Sequence, residues 1–144
     1  MMRFLLLILW AVWPATAFAD DLAVPSVWEN QSGSVLFLDT MDDGGRLTGR
    51  YVNGAAGYAC QGIEYDVEGR VFEPLITFNV VWRAEAETCH TITSWTGVIE
   101  GDVIATEWSL VRWVAPDTES GDSGPGRYAG ESRFVRRDRR HCEH

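Results

Sequence analysis

Beyond its first two dozen residues the chain has no long amphipathic helical stretch. It reads as eight short β-rich runs set between turn residues, and this pattern constrains the fold more than any other feature. The runs fall at 27–31, 34–40, 46–53, 63–71, 75–83, 90–100, 102–112 and 127–136. Between them stand Asp42-Asp43-Gly44-Gly45, Glu100-Gly101-Asp102 and a long stretch at 116–126 rich in Gly, Ser, Asp and Pro, all residues that close turns. Runs at hairpin spacing predict an up-and-down meander, and eight strands are enough to close around one small ligand. The predicted fold class is therefore all-β, an eight-stranded antiparallel up-and-down β-barrel.

The barrel is expected to be the whole exported domain. Met1, Met2 and Arg3 precede an apolar run from Phe4 to Trp13, and Ala17-Phe18-Ala19 supplies a small-x-small ending. That run is too short to span a bilayer, so residues 1–19 read as a secretory signal peptide, residues 20–135 as the barrel domain and residues 136–144 as a disordered basic tail. The expected location is secreted or periplasmic, with no membrane association after signal cleavage. The 125 residues left from 144 after removal of 19 suit one domain with one core. They carry 11 Arg against 21 Asp and Glu, with no Lys. A balance so acidic excludes nucleic acid as a main partner, because phosphate binding needs a basic face. Cys60, Cys89 and Cys142 predict one disulfide and one odd thiol in an oxidising compartment. Pairing of Cys60 with Cys89 is favoured because both lie in loop-like contexts, whereas Cys142 lies close to the chain end.

Strand alternation sorts the two faces of each run. Leu47, Gly49, Tyr51 and Asn53 share one side; so do Ile76, Phe78, Val80 and Trp82; Thr91, Thr93, Trp95 and Gly97; and Ile104, Thr106, Trp108 and Leu110. The opposite sides carry Arg50, Asn79, Glu107 and Ser109, which suits a solvated outer wall, so the aromatic-bearing parity should point inward. An ordinary small-barrel core would hold Val, Leu and Ile. This inward set mixes Trp with Tyr, Asn and Thr, and an unpartnered buried polar group costs about 1–3 kcal/mol. Aromatic walls with a few converging polar groups describe a small-molecule cavity. Periodicity alone does not name the ligand.

Five motifs in order do suggest one. Trp28-Glu29-Asn30-Gln31-Ser32-Gly33-Ser34 resembles the W-x-N-x-x-G-S opening of the avidin/streptavidin family, and Leu47-Thr48-Gly49-Arg50-Tyr51 resembles its L-x-G-x-Y. Val81-Trp82, Thr91-Ile92-Thr93-Ser94-Trp95-Thr96-Gly97 and Thr106-Glu107-Trp108-Ser109-Leu110 are similar to three more. Ala59-Cys60-Gln61, Thr88-Cys89-His90 and Ser123-Gly124-Pro125 resemble the disulfide-bearing, dimeric, rhizavidin-like branch. The loop before the last strand lacks the tryptophan that tetrameric members lend to a neighbour.

The resemblance implies an exported homodimer that holds biotin non-covalently, with no cofactor and no enzymatic activity. Asn30, Ser34 and Tyr51 would donate to the ureido oxygen of biotin, and Asn53 would accept from one ureido N–H. Trp82, Trp95, Trp108 and Leu110 would wall the ring and chain, Thr93 would face the ring sulfur, and Thr91 would reach the carboxylate end. A disulfide between Cys60 and Cys89 would join two loops over the cavity mouth. The family pattern G-x-[DN]-x-F on the last strand here reads Gly130-Glu131-Ser132-Arg133-Phe134, so Ser132 stands at the second ureido acceptor, and affinity is expected to be reduced.

Other functions are less well supported. No G-x-S-x-G or H-E-x-x-H occurs, and no second internal histidine could join His90 at a metal. Glu64, Asp66, Glu68 and Glu73 are expected on the outer wall. The alternatives are a lipocalin-like carrier of another small ligand and a secreted β-barrel protease inhibitor. A lipid cavity would gain nothing from the three donors Asn30, Ser34 and Tyr51.

Overall fold

The structure, a computed structural model, describes residues 22–58, 60–83, 90–114 and 124–137. The expected signal peptide, Cys89, Cys142 and the arginines at 139 and 140 lie outside them. Eight strands follow in chain order: β1 (Ser26–Asn30), β2 (Val35–Met41), β3 (Arg46–Val52), β4 (Glu64–Phe72), β5 (Leu75–Trp82), β6 (Thr91–Glu100), β7 (Val103–Val114) and β8 (Gly124–Arg136). Each pairs antiparallel with its successor, and β8 returns to β1 through Trp28↔Arg136 and Asn30↔Phe134. The sheet closes on itself as an up-and-down barrel, which removes the open edges that a flat sheet would expose.

The predicted faces are the observed ones. Along β5, Leu75, Thr77, Asn79 and Val81 are exposed while Ile76, Phe78, Val80 and Trp82 are buried, an unbroken period of two. Asn79, Glu107 and Ser109 face solvent, as do Glu64, Asp66, Glu68 and Glu73. Arg50 lies on the outer wall between Asp39 at 2.8 Å and Glu64 at 2.9 Å. Its hydrogen bonds to Asp39 hold the guanidinium pKa above even its ordinary high value. The β2–β3 turn closes as its residues suggest. Asp42 Oδ1 accepts from Gly44 N–H at 2.9 Å and from Arg46 N–H at 2.8 Å. Gly45 takes φ of 76° with Val71 O only 2.1 Å from where a Cβ would sit, so only glycine is accommodated there.

Most strand ends fall within two residues of expectation, and the largest difference is at β8. The turn-rich composition of 116–126 predicts a loop, yet β8 begins at Gly124, with Gly124, Pro125 and Gly126 opposite Val114, Trp113 and Arg112. β7 runs on to Val114 and offers a long template. Among the described residues β1 meets β8 only at 134–136, so Pro125 lies on a stretch of β8 that pairs on one side, where a proline is tolerated. Arg136 and Arg137, expected in the basic tail, belong to the barrel instead. Arg136 completes β8 with its guanidinium 4.8 Å from the Trp28 ring, and Arg137 donates its backbone N–H to Val27 O at 2.8 Å.

Inside the barrel, polarity grades from one end to the other. Leu38, Leu47, Ile76, Phe78, Ile104 and Phe134 fill the closed end and are almost completely buried. Toward the other end of the barrel come Ser34, Tyr51, Trp82, Thr93, Trp108 and Ser132. Packing saturates the lower half, so the open half is left to form a cavity.

Candidate ligand-binding site

That cavity has a volume of about 590 Å³, inside the roughly 300–1,000 Å³ range of small-molecule sites. All eleven residues expected to bind a ligand line it: Asn30, Ser34, Tyr51, Asn53, Trp82, Thr91, Thr93, Trp95, Trp108, Leu110 and Ser132.

Its polar side is built from the end of β1, the start of β2 and the end of β3. The turn after Asn30 folds back so that Asn30 Oδ1 accepts from Ser32 N–H at 3.0 Å and Ser34 N–H at 2.9 Å. Only the amide oxygen can accept two backbone N–H groups, so the amide NH2 is the part of Asn30 left to the cavity. Ser34 Oγ accepts from Gly54 N–H at 3.1 Å and directs its own proton toward Asn53 Oδ1 at 3.3 Å, a long bond. Asn53 Oδ1 also accepts from Ala55 N–H at 3.0 Å. Tyr51 lines the same side of the cavity. Burial raises its pKa above the ordinary 10.0, and the bonds to Ser34 and Asn30 offset only part of that rise. At neutral pH the phenol is therefore protonated and can donate. The polar atoms of Asn30, Ser34, Tyr51 and Asn53 all line this side of the cavity.

The remaining walls are aromatic. Trp95 is stacked on Phe78 with centroids 5.0 Å apart and an interplanar angle of 13°, and it lies 5.1 Å from Tyr51. Trp82 meets Tyr51 edge-on at 5.6 Å and donates its indole N–H to Thr93 Oγ1 at 2.9 Å. Thr93 itself lines the cavity. The Trp95 Nε1 donor is buried without a partner. The Trp108 ring lies over Gly130, where a Cβ would come within 2.5 Å of it. On β8, Ser132 is buried and faces the cavity, whereas Glu131 is exposed on the other face.

Sequence reasoning left out Ser32, Ala55, Gly57, Tyr58, Arg112 and Tyr128, and placed Cys60 only over the mouth, yet all seven line the cavity. Arg112 and Tyr128 were reachable, since each continues the inward parity beyond Leu110 and Gly130. The loop residues were not, because no periodicity governs a loop path. Cys60 is disulfide-bonded and takes φ of 63°.

The structure is thus a closed antiparallel barrel whose open half is a cavity, with polar side chains on one side and aromatic walls around the rest. The sequence model of the Avidin family matches residues 18–136, and the chain belongs to that family. Afifavidin of Afifella pfennigii is 41% identical over 92 residues, which span 61% of this chain and 57% of afifavidin. Hoefavidin of Hoeflea phototrophica is 35% identical over 115 residues, 66% of this chain and 70% of that protein. The crystal structure of the rhizavidin–biotin complex superposes with a TM-score of 0.66 at 34% identity, covering 78% of this chain and 92% of rhizavidin.

Proposed function

We propose that this chain is an exported protein that holds biotin non-covalently in the open half of the barrel. The observation that carries the reading is that Asn30, Ser34 and Tyr51 line one cavity together; in this reading all three donate to the ureido oxygen. Trp82, Trp95, Trp108 and Leu110 enclose the fused rings and chain. Thr93 donates toward the ring sulfur, and Thr91 lies at the carboxylate end. When the Ser34 proton turns from Asn53 to the ureido oxygen, Asn53 Oδ1 regains a lone pair for a ureido N–H. The biotin complex of the similar protein rhizavidin supports the same ligand. Titration of the purified protein with biotin, followed by tryptophan fluorescence, tests this. Emission should be quenched or shifted, and a fatty acid that gives a signal where biotin gives none would replace the reading with a lipocalin-like carrier.

The Tyr51 donor sets the pH dependence. A raised pKa keeps the phenol protonated through the ordinary tyrosine range, so its bond to the ligand is intact below pH about 10 and is lost as pH rises through the higher value. Affinity measured by calorimetry should be flat from about pH 5 to about pH 9. A fall of tenfold or more within that window would remove Tyr51 from the donor set.

Ser132 acts as the second ureido acceptor in this reading. A hydroxyl acceptor contributes roughly 0.5–1.5 kcal/mol and a carboxylate about 1.5–3. Ser132→Asp should therefore tighten biotin binding by about 5- to 30-fold. Desolvation of the new carboxylate opposes the gain, and unchanged or weaker binding would mean that Ser132 is not the second ureido acceptor or that the pocket is rebuilt around it.

Export follows from the signal-like residues 1–19, and mass spectrometry of the secreted chain should find Asp20 at its start. Cys89 is the proposed disulfide partner of Cys60, since in the sequence it falls between two predicted strands whereas Cys142 is the third residue from the end. The loop so closed, about 30 residues, contributes roughly 3–4 kcal/mol in the chain-entropy account, and non-reducing peptide mapping reads the pairing. The proposed assembly is a homodimer. Light scattering at micromolar concentration that finds only monomer or only tetramer rejects it.

A further inference from the structure

The cavity lining is aromatic, aliphatic and neutral polar except for Arg112 on β7, the one charged side chain among the described lining residues. Arg112 is the register partner of Thr91 across β6 and β7, at the open end of the barrel. Its Nε is buried and has no hydrogen-bond partner. The ion pairs among the described residues belong to Arg50, Arg136 and Arg137, and none includes Arg112. The guanidinium is held instead 6.0 Å from the Tyr128 ring centroid on β8, at the outer limit of a cation–π contact. Tyr128 can lean there because Gly126 has no side chain: a Cβ would come within 3.1 Å of Tyr128 Cε2 and 3.3 Å of its hydroxyl.

A buried guanidinium N–H without an acceptor is unfavourable, and a planar two-oxygen anion complements the guanidinium best. The chain carries a net charge of −9, so its general field repels anions, and a cation at the mouth is where an anionic ligand end is tolerated. We propose that Arg112 is a specificity-determining residue, selecting ligands whose tail ends in a free carboxylate at the mouth over those whose tail is neutral there. This rests on the biotin reading above, with the valeryl carboxylate as the anion. Arg112 does not orient the ring system. It discriminates at the far end of the chain, by charge and by the fork geometry of its N–H groups.

The test compares biotin with biotinamide, in which a neutral carboxamide replaces the carboxylate, by competition calorimetry on the full secreted protein. Biotin should bind about tenfold more tightly, equivalent to about 1.4 kcal/mol. The ratio should shrink as salt screens the charge. Arg112→Gln should bring the ratio to about one. Arg112→Lys, which keeps the charge without the fork, should give an intermediate ratio, and its graded response separates selectivity from damage to the fold. A wild-type ratio near one, or a ratio that Arg112→Gln leaves unchanged, overturns the role of Arg112 while leaving biotin binding in place. Failure of both ligands to bind the wild-type protein overturns the biotin reading, and this proposal with it.

Discussion

Replacing Trp108 by alanine is expected to weaken biotin binding by on the order of a hundredfold, about 3 kcal/mol. The Trp108 side chain forms one wall of the cavity, and its ring is half-buried against Gly130 on the neighbouring strand. If roughly 100 Å² of its apolar surface lies against the ligand, burial at about 25 cal/mol per Å² contributes about 2.5 kcal/mol. Truncation also opens the wall between β7 and β8, because Gly130 has no side chain to fill the gap. Water admitted there competes for the donors at Asn30, Ser34 and Tyr51, which raises the loss further. The barrel itself should survive, since Phe78, Ile104 and Phe134 at the closed end are untouched. Calorimetric affinity within about threefold of wild type, in a variant with a native near-ultraviolet spectrum, would show that Trp108 does not wall the ligand.

Gly54→Ala should be almost as damaging, though the new methyl group touches no ligand. A Cβ on Gly54 would lie 2.1 Å from Gly33 O, 2.4 Å from Gly33 C and 2.9 Å from Ser34 N. All three atoms are backbone, so no rotamer change can make room. The loop after β3 must move away from the β1–β2 turn, which breaks the Gly54 N–H bond to Ser34 Oγ and separates Ser34 from Asn53. Overpacking of this kind costs about 1–3 kcal/mol of stability, a fall in Tm of roughly 10 °C at the upper end for a domain of this size. Biotin affinity should drop by at least on the order of tenfold as the donor cluster spreads. Thermal melts and titrations indistinguishable from wild type would mean that the two turns are not locked together.

The positions of the strands and the faces they present were legible because both rest on local rules. A pleated strand alternates with a period of two whatever surrounds it, so Tyr51, Trp82, Thr93, Trp95 and Trp108 could be assigned to the interior from neighbours a few residues away. The turn at Asp42–Gly45 was legible for the same reason, since its hydrogen bonds close within four residues. Motif order was enough to place Asn30, Ser34 and Ser132 on the cavity, and all three are there.

Other features needed the closed barrel. That β8 starts at Gly124 depends on how far β7 extends to receive it. That the Asn30 amide turns its oxygen to backbone and its NH2 to the cavity depends on the turn at 31–33 folding over it. The contact of Gly54 with Gly33 joins segments about twenty residues apart, and Gln31 reaches Arg133 N–H across a separation of 102 residues. Arg112 and Tyr128 lie 16 residues apart in the chain and meet only because β7 and β8 pair in a particular register. Periodicity reports which side of a strand a residue occupies. Strand register and loop path decide what it meets there, and both are set by the simultaneous packing of all eight strands around the core at the closed end.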